Sequence, residues 1–218
     1  MEISYWKSRW QKNKTGWHLD HVYPYLVKFW PALSLSDGAT VLVPLCGKSR
    51  DVLWLADQGF QVIGVEASAA GLEQLREASG QSFTQTSRYG NAIYCSDNVA
   101  LWEANFLSLP AKALPPVDAI YDKASIVALP PAKREIYARK IIALCGSGTQ
   151  ILLQTFDYDQ TDMHGPPFSV PEKEITRLFG GHLNIELLHE RSMLNDVDKF
   201  RRRGLRSRFI ERLYHLHE

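Results

Sequence analysis

The sequence predicts an α/β fold: a mostly parallel seven-stranded sheet with helices on both faces, in a single domain over residues 1–218, with a helical extension over 1–35. Two observations carry this. The stretch Val41 to Gly59, VLVPLCGKSRDVLWLADQG, with the following QVIGVEAS, reads as strand, glycine turn, helix, strand and acidic residue, the first half of a nucleotide-binding unit. Downstream, further short apolar runs alternate with segments of helical period, as repeated βα steps require.

The elements follow in order. Residues 4–31 are unusually aromatic, with a helix expected at about 4–12, a polar turn at Asn13 to Gly16 and a second helix at about 19–30. Trp6 and Trp10, four apart, share a helical face that either docks on the sheet or closes over a flat ligand. Val41 to Val43 form the first strand, Pro44 ends it, and Gly47 makes a tight turn where backbone can approach a ligand. Val52, Leu55 and Ala56 mark the helix that follows. Gln61 to Val65 is the second strand, ending in Glu66, and a helix covers 68–79. A turn at Arg88 to Asn91 leads to the third strand, Ala92 to Cys95, with Ala100 to Phe106 extending or pairing with it. Asn105 and Phe106 lie in the loop expected to meet an adenine. Val117 to Tyr121 is the fourth strand, and Asp122, Lys123 and Ser125 follow at the tip where such sheets do chemistry. A helix from Pro131, with stripe Ile136, Tyr137 and Ile141, precedes the fifth strand, Gln150 to Phe156. A proline-rich loop through Asp157, Asp159, Asp162, His164 and Phe168, a helix at 172–179, and strands at about 183–190 and 207–216 complete the chain.

Glu66 stands 19 positions after Gly47, near the roughly 20-residue spacing at which a carboxylate meets ribose hydroxyls. The full G-x-G-x-x-G is missing, which suits S-adenosylmethionine, a nucleoside without phosphate, better than NAD. Composition is that of a globular protein, 45% hydrophobic with net charge +1. No apolar run reaches the length of a membrane span and the N-terminus does not read as a signal peptide, so the expected setting is cytoplasmic. Cys46, Cys95 and Cys145 are far apart and fit packing in a reducing compartment, although Cys46 lies in the glycine turn. His18 with His21, and His215 with His217, lack companion ligands at zinc spacing, so no metal is expected. The basic run Lys199, Arg201, Arg202, Arg203, Arg206, Arg208 and Arg212 reads as a solvated face or as cations at a substrate mouth, without a nucleic-acid motif beside it.

The phrases W-x3-W-x5-GWH (Trp6 to His18), VPLCGKSRDVLWLADQG, VIGVEAS, YDKASIVALPP and FDYDQTDMHGPPFSVPEKEI, in this order over nearly the whole length, resemble the thiopurine S-methyltransferase family and its bacterial members. The resemblance implies a monomeric class I, Rossmann-like methyltransferase that uses S-adenosylmethionine, takes aromatic and heterocyclic thiols, and in some bacterial members selenium or tellurium species, with a role in metalloid and tellurite detoxification. By matching position it implies that Trp10, Leu45, Glu66 and Lys123 contact the cofactor, with Asn105 and Phe106 near the adenine. Three positions depart from the family pattern: Lys123 and Lys199 replace arginines, and Trp17 replaces a phenylalanine beside His18. A lysine keeps the charge and loses the planar two-pronged donor.

The expected chemistry is attack of a thiolate on a sulfonium methyl, with Lys123 and Lys199 favouring the thiolate by charge and Asp157, Asp159, Asp162 or His164 accepting a proton from less acidic thiols. The same four groups would equally order their loop through Asx turns. Two other readings remain: a NAD-dependent oxidoreductase, and a non-catalytic module that binds S-adenosylmethionine or nucleic acid.

Overall fold

The computed structural model describes residues 2–193 and 198–218. The chain forms two compact units, Met1–Tyr121 and Asp122–Glu218.

The first unit begins with α1 (Ile3–Gln11) and α2 (Pro24–Phe29), the latter continued by a 3-10 turn, Trp30–Leu33. The second helix is shorter than the expected 19–30. Pro24 is its first residue, where a missing N–H costs nothing, and Tyr23 ahead of it is extended. Then come β1 (Thr40–Pro44), α3 (Arg50–Asp57), β2 (Gln61–Glu66) and α4 (Ala69–Ser79). Both helices start on serine caps, Ser49 Oγ accepting from Asp51 N and Ser68 Oγ from Gly71 N, and Gly80 at φ 66° closes α4. Strands β3 (Thr84–Arg88), β4 (Asn91–Cys95), β5 (Val99–Glu103) and β6 (Val117–Asp122) follow.

Within this unit the strand order is β3-β4-β5-β2-β1-β6. β2 runs parallel to β1 and β5, with Leu42 opposite Ile63 and Gly64 opposite Leu101, and β1 runs parallel to β6. The third parallel strand is therefore Val99–Glu103, not Ala92 to Cys95. Residues 84–95 form an antiparallel hairpin whose β4 pairs with β5. Its turn residues Tyr89 and Gly90 both have positive φ, as the twist of a two-residue hairpin loop demands. Burial explains the outcome: Val99, Leu101 and Trp102 are all core, whereas every residue of β3 is exposed.

The second unit carries α5 (Pro131–Leu144), β7 (Cys145–Tyr158), α6 (Glu172–Phe179), β8 (Asn184–Ser192), α7 (Asp198–Arg201) and β9 (Phe209–His217). Its strands lie in the order β7-β9-β8, antiparallel throughout. β7 is longer than the expected 150–156 and takes in both the glycine turn at its start and Asp157 at its end. In α5 the buried stripe is Tyr137, Ala138 and Ile141 with Arg134, while Ile136 is 56% exposed and points away. Tyr158, Met163, Phe200, Leu205 and Phe209 form an aromatic cluster that gives the proline-rich loop its own core. The α/β class stands. Among the described residues there are nine strands where seven were expected, the surplus being the β3–β4 hairpin.

Candidate functional site

In the first unit the glycine turn and Glu66 form one structure. Leu45 and Gly47 both take positive φ, 50° and 55°, which bends the chain sharply between β1 and α3. The bend aims the Gly47 N–H at Glu66 Oε2, 3.1 Å away, and Ser68 N donates to Oε1 at 2.8 Å. Glu66 is 8% exposed. Burial raises its pKa from 4.5 to about 7, against the lowering effect of main-chain donors at Ser68, Gly47 and Ala67 and of the Lys7 ammonium. Three main-chain donors do not exhaust the roughly four acceptor positions of a carboxylate, so capacity remains for a ligand. The carboxylate is held in place and left with capacity.

Trp10 lies over this turn. A Cβ on Gly47 would come within 2.8 Å of the indole, and one on Gly71 within 3.2 Å. The glycines thus seat a tryptophan as well as making a turn. Trp10 is 3% exposed, and Trp17 stands edge-on to it at 5.6 Å and to Trp6 at 5.1 Å. Trp6 and Trp10 do share a face of α1, and Trp10 covers Glu66's surroundings. Ser68 and Gly71 were missed from sequence. Their signal was present, since a serine two places after an acidic strand end and ahead of a helix is a cap in position to donate its main-chain N–H backwards.

Cys46 packs with its sulfur toward Gly64, where a Cβ would meet it at 2.9 Å, and burial pushes its thiol pKa well up, further raised by Glu66. It is a core residue. Asn105 Oδ1 accepts from Leu107 N, and its carbonyl accepts from Ser108 and Leu109, so its side chain orders the turn after β5. Phe106 is buried at 3%.

In the second unit Asp122 is 2% exposed and takes the Ile126 N–H at 3.2 Å and the Tyr137 hydroxyl at 2.7 Å. Burial raises its pKa to about 6 against those donors. Asp122 is the turn and cap residue, and Tyr137, unforeseen from sequence, is its partner from α5. Lys123 beside it is half-buried, and Ala124 follows at φ 64°.

Asp157 is paired with arginines. It lies next to the end of β7 at 5% exposure, with Oδ2 accepting from Arg212 Nη1 at 2.9 Å and Arg208 Nη2 at 3.1 Å. Arg212 also pairs with Glu190, and Arg191 with Glu211. Burial pulls Arg212 down, and its bonds to Asp157 and Glu190 more than compensate, leaving its pKa above the ordinary value. Two guanidinium partners at Oδ2 tie Asp157 to β9 and its approach, a cohesive role beside the expected one of base. Asp159 accepts from Thr161 in an Asx turn, and Asp162 accepts from the distant Arg206 and Ser207, which together order the loop. The basic run is correspondingly less free than its composition suggests. Arg203 donates to the carbonyls of Pro166 and His164. Lys199 is exposed, 5.0 Å from the Phe200 ring centre, with its pKa lowered by desolvation and by Arg203.

A buried acidic strand end facing a glycine turn, on this strand order, is the arrangement of a class I methyltransferase. The fold agrees with the 1,6-didemethyltoxoflavin-N1-methyltransferase of Burkholderia thailandensis, solved with its substrate and S-adenosylhomocysteine: TM-score 0.65 at 16% identity, over 99% of this chain and 87% of that one. The thiopurine S-methyltransferase (TPMT) family model matches residues 1–218, and this chain belongs to that family. Thiopurine S-methyltransferases of Pseudomonas fluorescens strains SBW25 and Pf0-1 are 44% and 42% identical to it, in each case over 99% of both chains.

Proposed function

We propose that this chain is a thiopurine S-methyltransferase that transfers a methyl group from S-adenosylmethionine to the sulfur of an aromatic or heterocyclic thiol, acting as a cytoplasmic monomer. The observation that carries the reading is Glu66: a buried carboxylate pinned by main-chain donors, with acceptor capacity left, in a chain that matches its family from end to end. Family membership excludes the oxidoreductase and the non-catalytic module. Among the described residues no helix is long and apolar enough to cross a membrane.

The residues fit the cofactor. Glu66 would accept from both ribose hydroxyls, and Gly47 and Leu45 bring backbone close beside it. The Trp10 indole would offer an apolar face, with Asn105 and Phe106 toward the adenine. S-adenosylmethionine, when bound, supplies a methyl carbon activated by a sulfonium. Access to Glu66 runs past Trp10, so entry requires the α1 side chains to yield. Lys123 and Lys199 would stabilise the substrate as thiolate. A heterocyclic thiol ionises readily, so a dedicated base is unnecessary, which accords with the engagement of Asp157, Asp159 and Asp162. The same soft-nucleophile chemistry extends to selenium and tellurium species, and with it a role in their detoxification.

The test is transfer of labelled methyl from S-adenosylmethionine to a panel of heterocyclic thiols, selenite and tellurite. Thiol methylation is expected, with kcat/KM for anionic thiols falling about 10-fold or more in Lys123→Ala. A protein that binds S-adenosylhomocysteine yet methylates no thiol would overturn the substrate assignment, and an unchanged Lys123→Ala would remove that lysine from the mechanism.

A further inference from the structure

Along the chain His215 and His217 have no companion at ligand spacing. Across the sheet they do. Residues two apart on a strand project to the same side, so both imidazoles of β9 share a face, their ring centres 4.8 Å apart. In the antiparallel register β8 sets Glu186 opposite His215. One ligand atom from each of Glu186, His215 and His217 lies within 4.8 Å of the others. We propose that these three side chains bind one divalent first-row transition-metal ion, in a His₂Glu set outside the methyl-transfer machinery.

The hydrogen bonds around the imidazoles favour coordination. His215 Nε2 lies 2.6 Å from Gln150 Oε1, and Gln150 Nε2 donates to the Gly148 carbonyl, which fixes the amide with its oxygen toward the ring. An amide oxygen only accepts, so Nε2 carries the proton and Nδ1 keeps its lone pair. That Nδ1 faces Glu186 Oε2 at 3.8 Å, too long for a hydrogen bond. His217 repeats the pattern: Nδ1 lies 2.7 Å from the main-chain oxygen of Glu218, a donor's position, which leaves Nε2 for a ligand. An imidazole that gives its second nitrogen to an oxygen acceptor is the usual support of a metal-bound histidine.

The alternative is a simple His–Glu ion pair. It does not account for the second imidazole, whose ring centre lies 4.8 Å from that of His215 on the same face. Bonds of about 2.0–2.2 Å put ligand atoms roughly 3.3 Å apart, so a short inward movement closes the site. Glu186 is 61% exposed in its side chain and can make that movement. Two imidazoles and one carboxylate suit zinc, nickel or cobalt, with a remaining position for water. A bound ion would tie β8 to β9.

The test is calorimetric titration of the chelator-treated full chain with Zn²⁺ alone, with Co²⁺ as the spectroscopic probe. The expected result is one equivalent bound at micromolar Kd or tighter, no thiolate charge-transfer band with Co²⁺, and a Tm rise of about 5 °C at saturating Zn²⁺. His217→Ala should weaken binding about 10-fold or more, and so should Glu186→Gln, whose exposed side chain leaves folding intact. S-adenosylhomocysteine affinity should be unchanged in both. Absence of binding at millimolar Zn²⁺, binding that survives both substitutions, or a thiolate band with Co²⁺ would each overturn the site.

Discussion

Two buried carboxylates set the halves of this chain apart. Glu66 in the first unit and Asp157 in the second are 8% and 5% exposed, and each lies at or next to the end of a strand. Glu66 meets main-chain N–H groups, which neutralise no charge, and burial drives its pKa to about 7. Asp157 meets two guanidinium groups, within a network that continues to Glu190. A carboxylate held by dipoles alone keeps its charge incompletely balanced and keeps acceptor positions for a ligand. One held by cations has its charge balanced within the fold. The same residue class at the same kind of position thus serves binding in one unit and cohesion in the other.

The strongest way to break this comparison is Glu66→Ala. Two charge-assisted hydrogen bonds to ribose contribute about 1.5–3 kcal/mol each, so S-adenosylhomocysteine affinity should fall at least ~100-fold by calorimetry. A variant that binds normally would move the ribose elsewhere. Next comes Asp157→Ala, which strips buried Arg212 of one of its two carboxylate partners and Arg208 of its partner. Urea denaturation should show a loss of about 3 kcal/mol, while the folded variant retains S-adenosylhomocysteine binding. Retained stability with lost turnover would mark Asp157 as a catalytic base.

The smallest effect is the pH dependence, and it separates the two cases by sign. The Glu66 carboxyl titrates near 7 when folded against 4.5 in its ordinary state. Its protonated form favours folding, so that contribution is complete below about 4.5 and is lost as pH rises through about 7, by up to about 3 kcal/mol in the ligand-free protein. Ligand affinity should run the other way, rising about 10-fold from pH 6 to pH 8 as the carboxylate forms. Glu66→Gln should flatten both curves, measured by denaturation and calorimetry across that range.

How much of this was legible in the chain depends on the range of the interaction. The Gly47 to Glu66 spacing, the serine caps and the apolar runs of β1 and β2 were readable because each is a local pattern with one favoured geometry. The third parallel strand was misplaced because Ala92 to Cys95 and Val99 to Glu103 are both short apolar runs. Only packing separates a core strand from a hairpin arm. The arginine partners of Asp157 were hidden for a related reason: Arg208 and Arg212 lie more than fifty residues away, and a carboxylate looks the same in sequence whether paired or free.

The sequence by itself determined the α/β class, the order of elements, the acidic strand end and the family, since periodicity, turn chemistry and exact phrases are properties of neighbouring residues. Tertiary structure alone decided that Trp10 sits on Gly47 and Gly71, that Asp122 is claimed by Tyr137, that Asp157 is tied to arginines, and that Glu186 meets His215. Burial and cross-strand register create those environments, and both arise only when distant segments pack.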